Sequence, residues 1–304
     1  MSFPKTRPPH NIRVLHGWLR RYARERGQSE GRLKRSVDYA VVLSALDRVR
    51  DSAGNSLFVV KGGVAMELRL RLDARATRDL DAVFLGAFEE WLDVLDGALA
   101  EPVADFELSR GETETIGMTR TVRVDVYLDY RGRRWGTVTL EVAPAEGAQV
   151  LDVDEVEAFD LTQFGLPTPE NIAVVGLPYL IAQKLHACTE SFEDRDNHRV
   201  RDLIDLQLAG RLLSDADFFR VRDACVAIFD SRETHSWPPT LHIPASWPAA
   251  YARLARESAI EVAADIDDAI NSIQGLIKKI ESALQGGVLA PVQVARPQRI
   301  RSRS

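Results

Sequence analysis

The amino-acid sequence predicts an α+β protein, in which a mixed sheet with flanking helices is followed by a helical C-terminal domain. Three observations carry that expectation. Leu57-Phe-Val-Val60 reads as a short buried strand that runs into Lys61-Gly62-Gly63 and then a helical stretch from Val64 to about Leu72. Two later segments, 121–129 and 137–142, alternate apolar and polar residues with the strand period of two. From Pro178 onward strand signals nearly vanish and helical apolar spacing takes over.

Taken in order, Trp18 to Arg26 and Gly31 to Arg50 read as helices, the second with Leu33, Val37, Val41 and Ala45 on one stripe. The polar turn Asp51 to Ser56 ends it and leads into the first strand. A second strand spans Leu80 to Leu85, and Phe88 to Ala100 has the composition of a crossover helix. Tyr130-Arg-Gly-Arg133 is the hairpin between the two alternating segments. Helices are expected at Pro178 to Ser191, Val200 to Ala209, Asp215 to Asp230 and, as one long element, Ala249 to Gln285. The organisation that follows is a basic N-terminal extension at 1–30, a mixed domain at 31–165, a helical domain at 166–288 and a basic tail at 289–304.

Composition narrows the function classes. With 304 residues, 45% hydrophobic and 28% charged, the chain can form two packed units at roughly 100 to 200 residues each. It has no apolar run near the about 18 residues that span a bilayer, and the start Met1 to Arg7 leads into no signal core, so a cytoplasmic protein is expected. Two cysteines, Cys188 and Cys225, give neither a disulfide framework nor a zinc site and read as buried thiols. The net charge of −6 is unevenly placed: residues 1–50 carry 12 Lys and Arg against 4 Asp and Glu, and the last ten residues add Arg296, Arg299, Arg301 and Arg303. The acidic body between these basic ends suits metal ions, and the ends suit a phosphate backbone or an acidic partner, or remain solvated surface.

The chemistry concentrates in Lys61-Gly62-Gly63 and Arg75-Ala-Thr77-Arg-Asp79-Leu-Asp81. Carboxylates at i and i+2 of a strand project from one face, so Asp79 and Asp81 can share one metal or bridge two, while Leu80 faces the core. Mg²⁺ takes such hard oxygens together with substrate phosphates, which points to a nucleotide. Glycines between a strand and a helix N-terminus let backbone N–H groups approach a triphosphate. Arg75 either contacts phosphate or is a surface charge. Thr77 lies near the expected phosphates, so phosphorylation there, or Thr77→Glu, is expected to silence the site; otherwise its hydroxyl caps a turn. Lys184 lies on the apolar stripe of its helix, where its ammonium either contacts a triphosphate or snorkels to water. Asp202 and Asp205 share a helix face at i, i+3 and could pair with Arg199, Arg201 or Lys184. The six histidines show no metal-ligand spacing, and Trp237, Trp247 and Tyr251 are expected to pack rather than stack on bases.

These pieces together resemble the AbiEii/MenT-like nucleotidyltransferase toxin family, a branch of the DNA polymerase β-type nucleotidyltransferase superfamily. The resemblance covers most of residues 57–210. It rests on Lys61-Gly-Gly63, Arg75 to Asp81, Thr139-Leu-Glu-Val142, and Lys184-Leu-His-Ala187 followed by Arg201-Asp-Leu-Ile-Asp-Leu206. It implies a nucleotidyltransferase-type sheet and a third carboxylate at Glu141, where many relatives have Asp. Asp125 on the preceding strand competes for that role, strand parity does not separate the two, and Glu141 is preferred. The resemblance further implies two Mg²⁺ ions on Asp79, Asp81 and Glu141, an NTP held by Lys61, Gly62, Gly63, Arg75, Thr77 and Lys184, and Asp202 and Asp205 beside the catalytic centre. The implied target is the tRNA 3′ acceptor end, extended so that aminoacylation and translation stop, with a cognate antitoxin as partner. Transfer to a protein hydroxyl or a small molecule such as an aminoglycoside is the alternative within the same superfamily.

Overall fold

The computed structural model describes residues 3–71, 77, 79–116, 120–145, 152–192, 194–257 and 261–283. Two helices open the chain, α1 (Ile12–Arg26) and α2 (Glu30–Leu46). Asn11 caps the first by accepting from the Val14 N–H, Gly27 closes it at φ 63°, and Ser29 caps the second. α1 thus begins earlier than expected. Leu15, Leu19 and Ala23 are buried, so this part of the basic N-terminal segment is packed into the core. The Tyr130 hydroxyl donates to Pro9 O and His16 stacks on Trp135, which ties the segment to the sheet.

The mixed sheet is built from β1 (Phe58–Lys61), β2 (Asp79–Phe84), β3 (Phe106–Thr115), β4 (Val122–Tyr130), β5 (Arg133–Pro144), β6 (Val153–Glu157) and β7 (Asn171–Val175). Their spatial order is β3-β4-β5-β2-β1-β7-β6. β2 runs antiparallel to β1 and parallel to β5, and β1 runs parallel to β7. The short helix α3 (Gly62–Arg69) follows β1 directly, and α4 (Trp91–Ala100) follows β2.

Three strands escaped the sequence reading. β3 and β6 are the two edges, and their mostly polar sequences, with β3 bulged between Arg110 and Thr113, show no sustained alternation. β7 is a five-residue apolar run too short to distinguish from the start of the next helix. It falls inside 166–288, the stretch expected to form a separate helical domain, and completes the sheet instead.

Beyond β7 the described residues form α5 (Leu177–Thr189), α6 (Arg201–Gly210), α7 (Phe218–Arg232), α8 (Trp247–Glu257) and α9 (Ile266–Ser282). α5 packs on α6 and α7. The single helix expected at 249–285 is two. Asp265 is an N-cap accepting from the Asp268 N–H, with Asp267 and Asp268 in the first turn, and this start signal separates α9 from α8. Trp247 and Tyr251 are buried and Trp237 packs edge-on against Phe229, as the packing expectation required. Cys188 and Cys225 are buried free thiols. No helix among the described residues is long and apolar enough to cross a membrane.

Candidate active site

Because β7 lies beside β1, the helix that follows it, α5, is delivered next to the end of β1, where the chain turns at Gly62 into α3. Gly62 has φ 65°, a left-handed conformation that only glycine adopts without cost, and the Asp81 carboxylate occupies the space a Cβ there would need. A Cβ on Gly63 would stand 2.7 Å from the Thr77 side chain. The two glycines therefore make room for the very side chains that the acidic motif supplies. Thr77 is itself clamped: its N–H donates to Glu67 Oε1 at 2.7 Å, and its carbonyl accepts from the Tyr39 hydroxyl at 3.0 Å. Glu67 and Tyr39, both buried, support the site and belong to no motif.

Asp79 and Asp81 share one face of β2. Asp81 is the register partner of Lys61 on one side and of Glu141 on the other, and Asp79 is the partner of Thr139. Asp125 sits one strand further out, beside Thr139, whose hydroxyl donates to it at 2.8 Å. Glu141 lines the cleft in front of the sheet together with Asp79 and Asp81, and Asp125 does not. Burial pushes the Asp81 carboxyl up to about 6; Lys61 opposes the rise, Glu141 and Asp79 add to it, and Lys184 opposes it. Its oxygens receive no hydrogen bond among the described residues. A desolvated carboxylate beside two others is a donor set that suits a hard divalent cation. As they stand, no three such groups among the described residues form a ready metal cluster. Glu141 is taken up by Arg123, which contacts Oε1 from Nε at 3.0 Å and from Nη2 at 2.6 Å. The Asp79 and Asp81 pair thus fits a metal shared with substrate phosphates, whereas Glu141 is engaged by Arg123.

Lys184 is buried rather than snorkelling, with its Nζ 2.9 Å from Asp202 and 2.7 Å from Asp205. Burial alone would lower its pKa, but the two carboxylates outweigh that and hold it above the ordinary lysine value. Arg199 Nε stands 2.8 Å from the second Asp202 oxygen, close enough for ion pairing although outside hydrogen-bond alignment. The structure therefore gives Asp202 and Asp205, expected beside the catalytic carboxylates, the part of counter-ions that orient Lys184. Arg75 lies outside the described residues, as does the tail 289–304.

Two adjoining cavities meet at Gly62, Asp81, Lys184 and Arg199. The larger, ≈ 1100 Å³, takes in Gly63, Thr77, Asp79 and Glu141 and is rimmed by Arg32 and Arg35 from α2, Arg199 and Arg201 at the start of α6, and Arg253 from α8. The smaller, ≈ 280 Å³, lies toward Lys61, Gln183 and Arg232. Sequence reasoning named Arg199 and Arg201 only as partners for Asp202 and Asp205, and it missed Arg32, Arg35 and Arg253 as rim residues because each, taken singly, is an ordinary helix residue; the Arg32 and Arg35 spacing of i, i+3 is the one trace of a shared face.

A family model described as nucleotidyl transferase AbiEii toxin, type IV toxin–antitoxin system, matches residues 44–285. Among solved structures the chain is similar to MenT4, a nucleotidyltransferase toxin from Mycobacterium tuberculosis H37Rv, with 17% identity, a TM-score of 0.52, and 88% of this chain and 97% of that one covered. It is also similar to JHP933 from Helicobacter pylori, with 17% identity, a TM-score of 0.42 and coverages of 83% and 94%. A complex of ANT(2")-Ia with adenylyl-2"-tobramycin matches at 17% identity and a TM-score of 0.36, over 66% of this chain and 98% of that one. None of the curated proteins matches.

Proposed function

The chain belongs to the AbiEii nucleotidyltransferase toxin family, and on that premise we propose that it adds nucleotides from an NTP to the 3′ acceptor end of tRNA in a Mg²⁺-dependent reaction. The observation that carries this reading is the placement of Asp79, Asp81 and Glu141 on adjacent strands at the floor of a ≈ 1100 Å³ cleft whose rim is arginine. A bound Mg²⁺ pair would activate the attacking hydroxyl and stabilise the departing pyrophosphate. Asp79 and Asp81 would hold the metal, and Glu141 would complete the set on the side nearer the acceptor. Lys61, the Gly62-Gly63 turn and Lys184 bring positive charge and open backbone to the donor's phosphates. Lys184 keeps its direction because Asp202 and Asp205 hold it. A cleft larger than a nucleotide requires, rimmed by Arg32, Arg35 and Arg253, suits a polyanionic acceptor better than a small neutral one. Blocked aminoacylation and growth arrest, relieved by a cognate antitoxin, follow from that acceptor.

The test incubates the protein with deproteinised total tRNA, Mg²⁺ and each α-labelled NTP, with Asp79→Ala in parallel. Label entering tRNA with the wild type alone is the expected result. Intact NTP binding without transfer to tRNA would move the acceptor to a protein hydroxyl or a small molecule.

A further inference from the structure

Arg232 is the last residue of α7, far in sequence from every motif above, yet its side chain lines the smaller cavity with Lys61, Gln183 and Lys184. A chain of hydrogen bonds stands behind it. Arg232 Nη1 is 3.4 Å from His186 Nδ1, and His186 Nε2 is 3.0 Å from Thr234 Oγ1. Thr234 Oγ1 is 3.1 Å from His235 Nδ1, and His235 Nε2 is 2.8 Å from Thr189 Oγ1, which donates to Leu185 O at 2.7 Å.

The two ends of this chain fix every proton in it. A guanidinium only donates, so His186 Nδ1 accepts and its Nε2 carries the hydrogen given to Thr234. Thr234 then donates to His235 Nδ1, and the His235 Nε2–H donates to Thr189, whose own hydrogen goes to the carbonyl. Both imidazoles are therefore neutral. Burial, helped by Arg232 and His235, pushes the His186 pKa down to about 4, in keeping with that state. The turn that folds Thr234 and His235 over His186 passes through Glu233 at φ 54°, a left-handed conformation that is strained for a non-glycine residue.

In-line displacement gives the cavity its use. The acceptor's 3′ oxygen forms a bond to the α-phosphorus, the bond from that phosphorus to the α,β-bridging oxygen breaks, and pyrophosphate leaves with the electron pair as the hydroxyl proton passes to water. Attacking and leaving oxygens lie on opposite sides of the phosphorus. Glu141 and the rim residues Arg32, Arg35, Arg201 and Arg253 line only the larger cavity, so an acceptor there sends the pyrophosphate across Asp81 and Lys184 into the smaller one.

We propose that the smaller cavity receives the β and γ phosphates of the donor nucleotide, that Arg232 binds them, and that the His186, Thr234, His235 and Thr189 chain aims its guanidinium. This rests on the nucleotidyl-transfer reading and adds to it a phosphate-binding residue and the positioning residue His186.

The experiment measures binding of inorganic pyrophosphate, the four NTPs and the matching NMPs, with Mg²⁺, to the full chain and to Arg232→Met, Arg232→Lys and His186→Phe. Arg232→Met is expected to weaken NTP and pyrophosphate about tenfold or more, the scale of hydrogen bonds to a charged group, and to leave NMP affinity unchanged. Arg232→Lys is expected to fall between, and His186→Phe to raise KM for the NTP at nearly constant kcat. Equal NTP and pyrophosphate affinity in the wild type and Arg232→Met would overturn the proposal. So would an equal loss of NMP and NTP affinity in all variants, because the defect would then not follow the outer phosphates. A wild type that neither binds nor transfers any nucleotide is a different result, and removes the nucleotidyl-transfer reading itself.

Discussion

Gly62 carries two demands at once: a left-handed backbone and an empty Cβ position filled by the Asp81 carboxylate. Gly62→Ala adds a left-handed penalty of about 1 to 2 kcal/mol and drives Asp81 off its place at the junction of the cavities. Since a displacement of about 1 Å at a reacting centre can cost roughly a hundredfold, transfer by Gly62→Ala is expected to drop about a hundredfold or more while the protein stays folded. Wild-type rates in a folded Gly62→Ala would show that Asp81 need not sit there. At this scale the sequence is informative where chemistry dictates spacing: Asp79 and Asp81 at i, i+2 share a strand face, and Lys184 on an apolar stripe does find anions. It was silent on Arg123, Glu67 and Arg232, because their partners Glu141, Thr77 and His186 come together only once the sheet and helices assemble.

Among the elements, α5 and α6 meet through a buried ion triad. Lys184, Asp202 and Asp205 are each less than a tenth exposed, so removing the lysine leaves two buried carboxylates to repel each other. Lys184→Met is expected to destabilise the protein by about 3 to 5 kcal/mol, read as a fall in the midpoint of denaturant unfolding. Lys184→Met combined with Asp202→Leu and Asp205→Leu is expected to be more stable than that single variant. The reverse order would mean that packing, not charge, dominates the contact. His186 on α5 adds a pH term. Its folded pKa of about 4 lies below its ordinary 6.5, so between these values the unfolded chain binds more protons. Stability from this group is complete above pH 6.5 and is lost as pH falls toward 4, by at most about 3 kcal/mol. His186→Phe should flatten the stability profile in that window alone, and an unchanged slope would place the proton uptake elsewhere. Element boundaries were legible where an apolar stripe marks the helix, as at α5, which has Pro178 in its first turn, and α6. They were not at β3 and β6, whose outer edges are solvated and whose sequences follow solubility rather than a core.

Across the whole molecule, charge is sorted toward the cleft and the N-terminal helix. Arg13, Arg20, Arg21, Arg24 and Arg26 are all exposed on α1, with Glu25 the one acidic residue of that helix, and α2 continues the basic surface with Arg32 and Arg35 into the larger cavity. Deleting residues 1–30 cannot test this surface, because it would also strip Leu15, Leu19 and Ala23 from the core. Charge reversal can. Arg13, Arg20 and Arg24 repeat at seven and four residues along one face and do not line the cleft, so Arg13→Glu, Arg20→Glu and Arg24→Glu together should leave NTP affinity unchanged, with a small fall in unfolding midpoint from the lost exposed Arg20–Glu30 pair. Binding of tRNA is expected to weaken at low salt and to lose part of its salt dependence, by roughly 0.7 to 0.9 in log–log slope for each phosphate contact removed. If affinity and slope both stay at wild-type values, α1 is a solvated surface and the acceptor's backbone is held by Arg32, Arg35 and Arg253 at the rim. If the slope falls with the affinity, the helix that the sequence presents as a basic extension is both a wall of the core and the track along which the acceptor reaches Asp79 and Asp81.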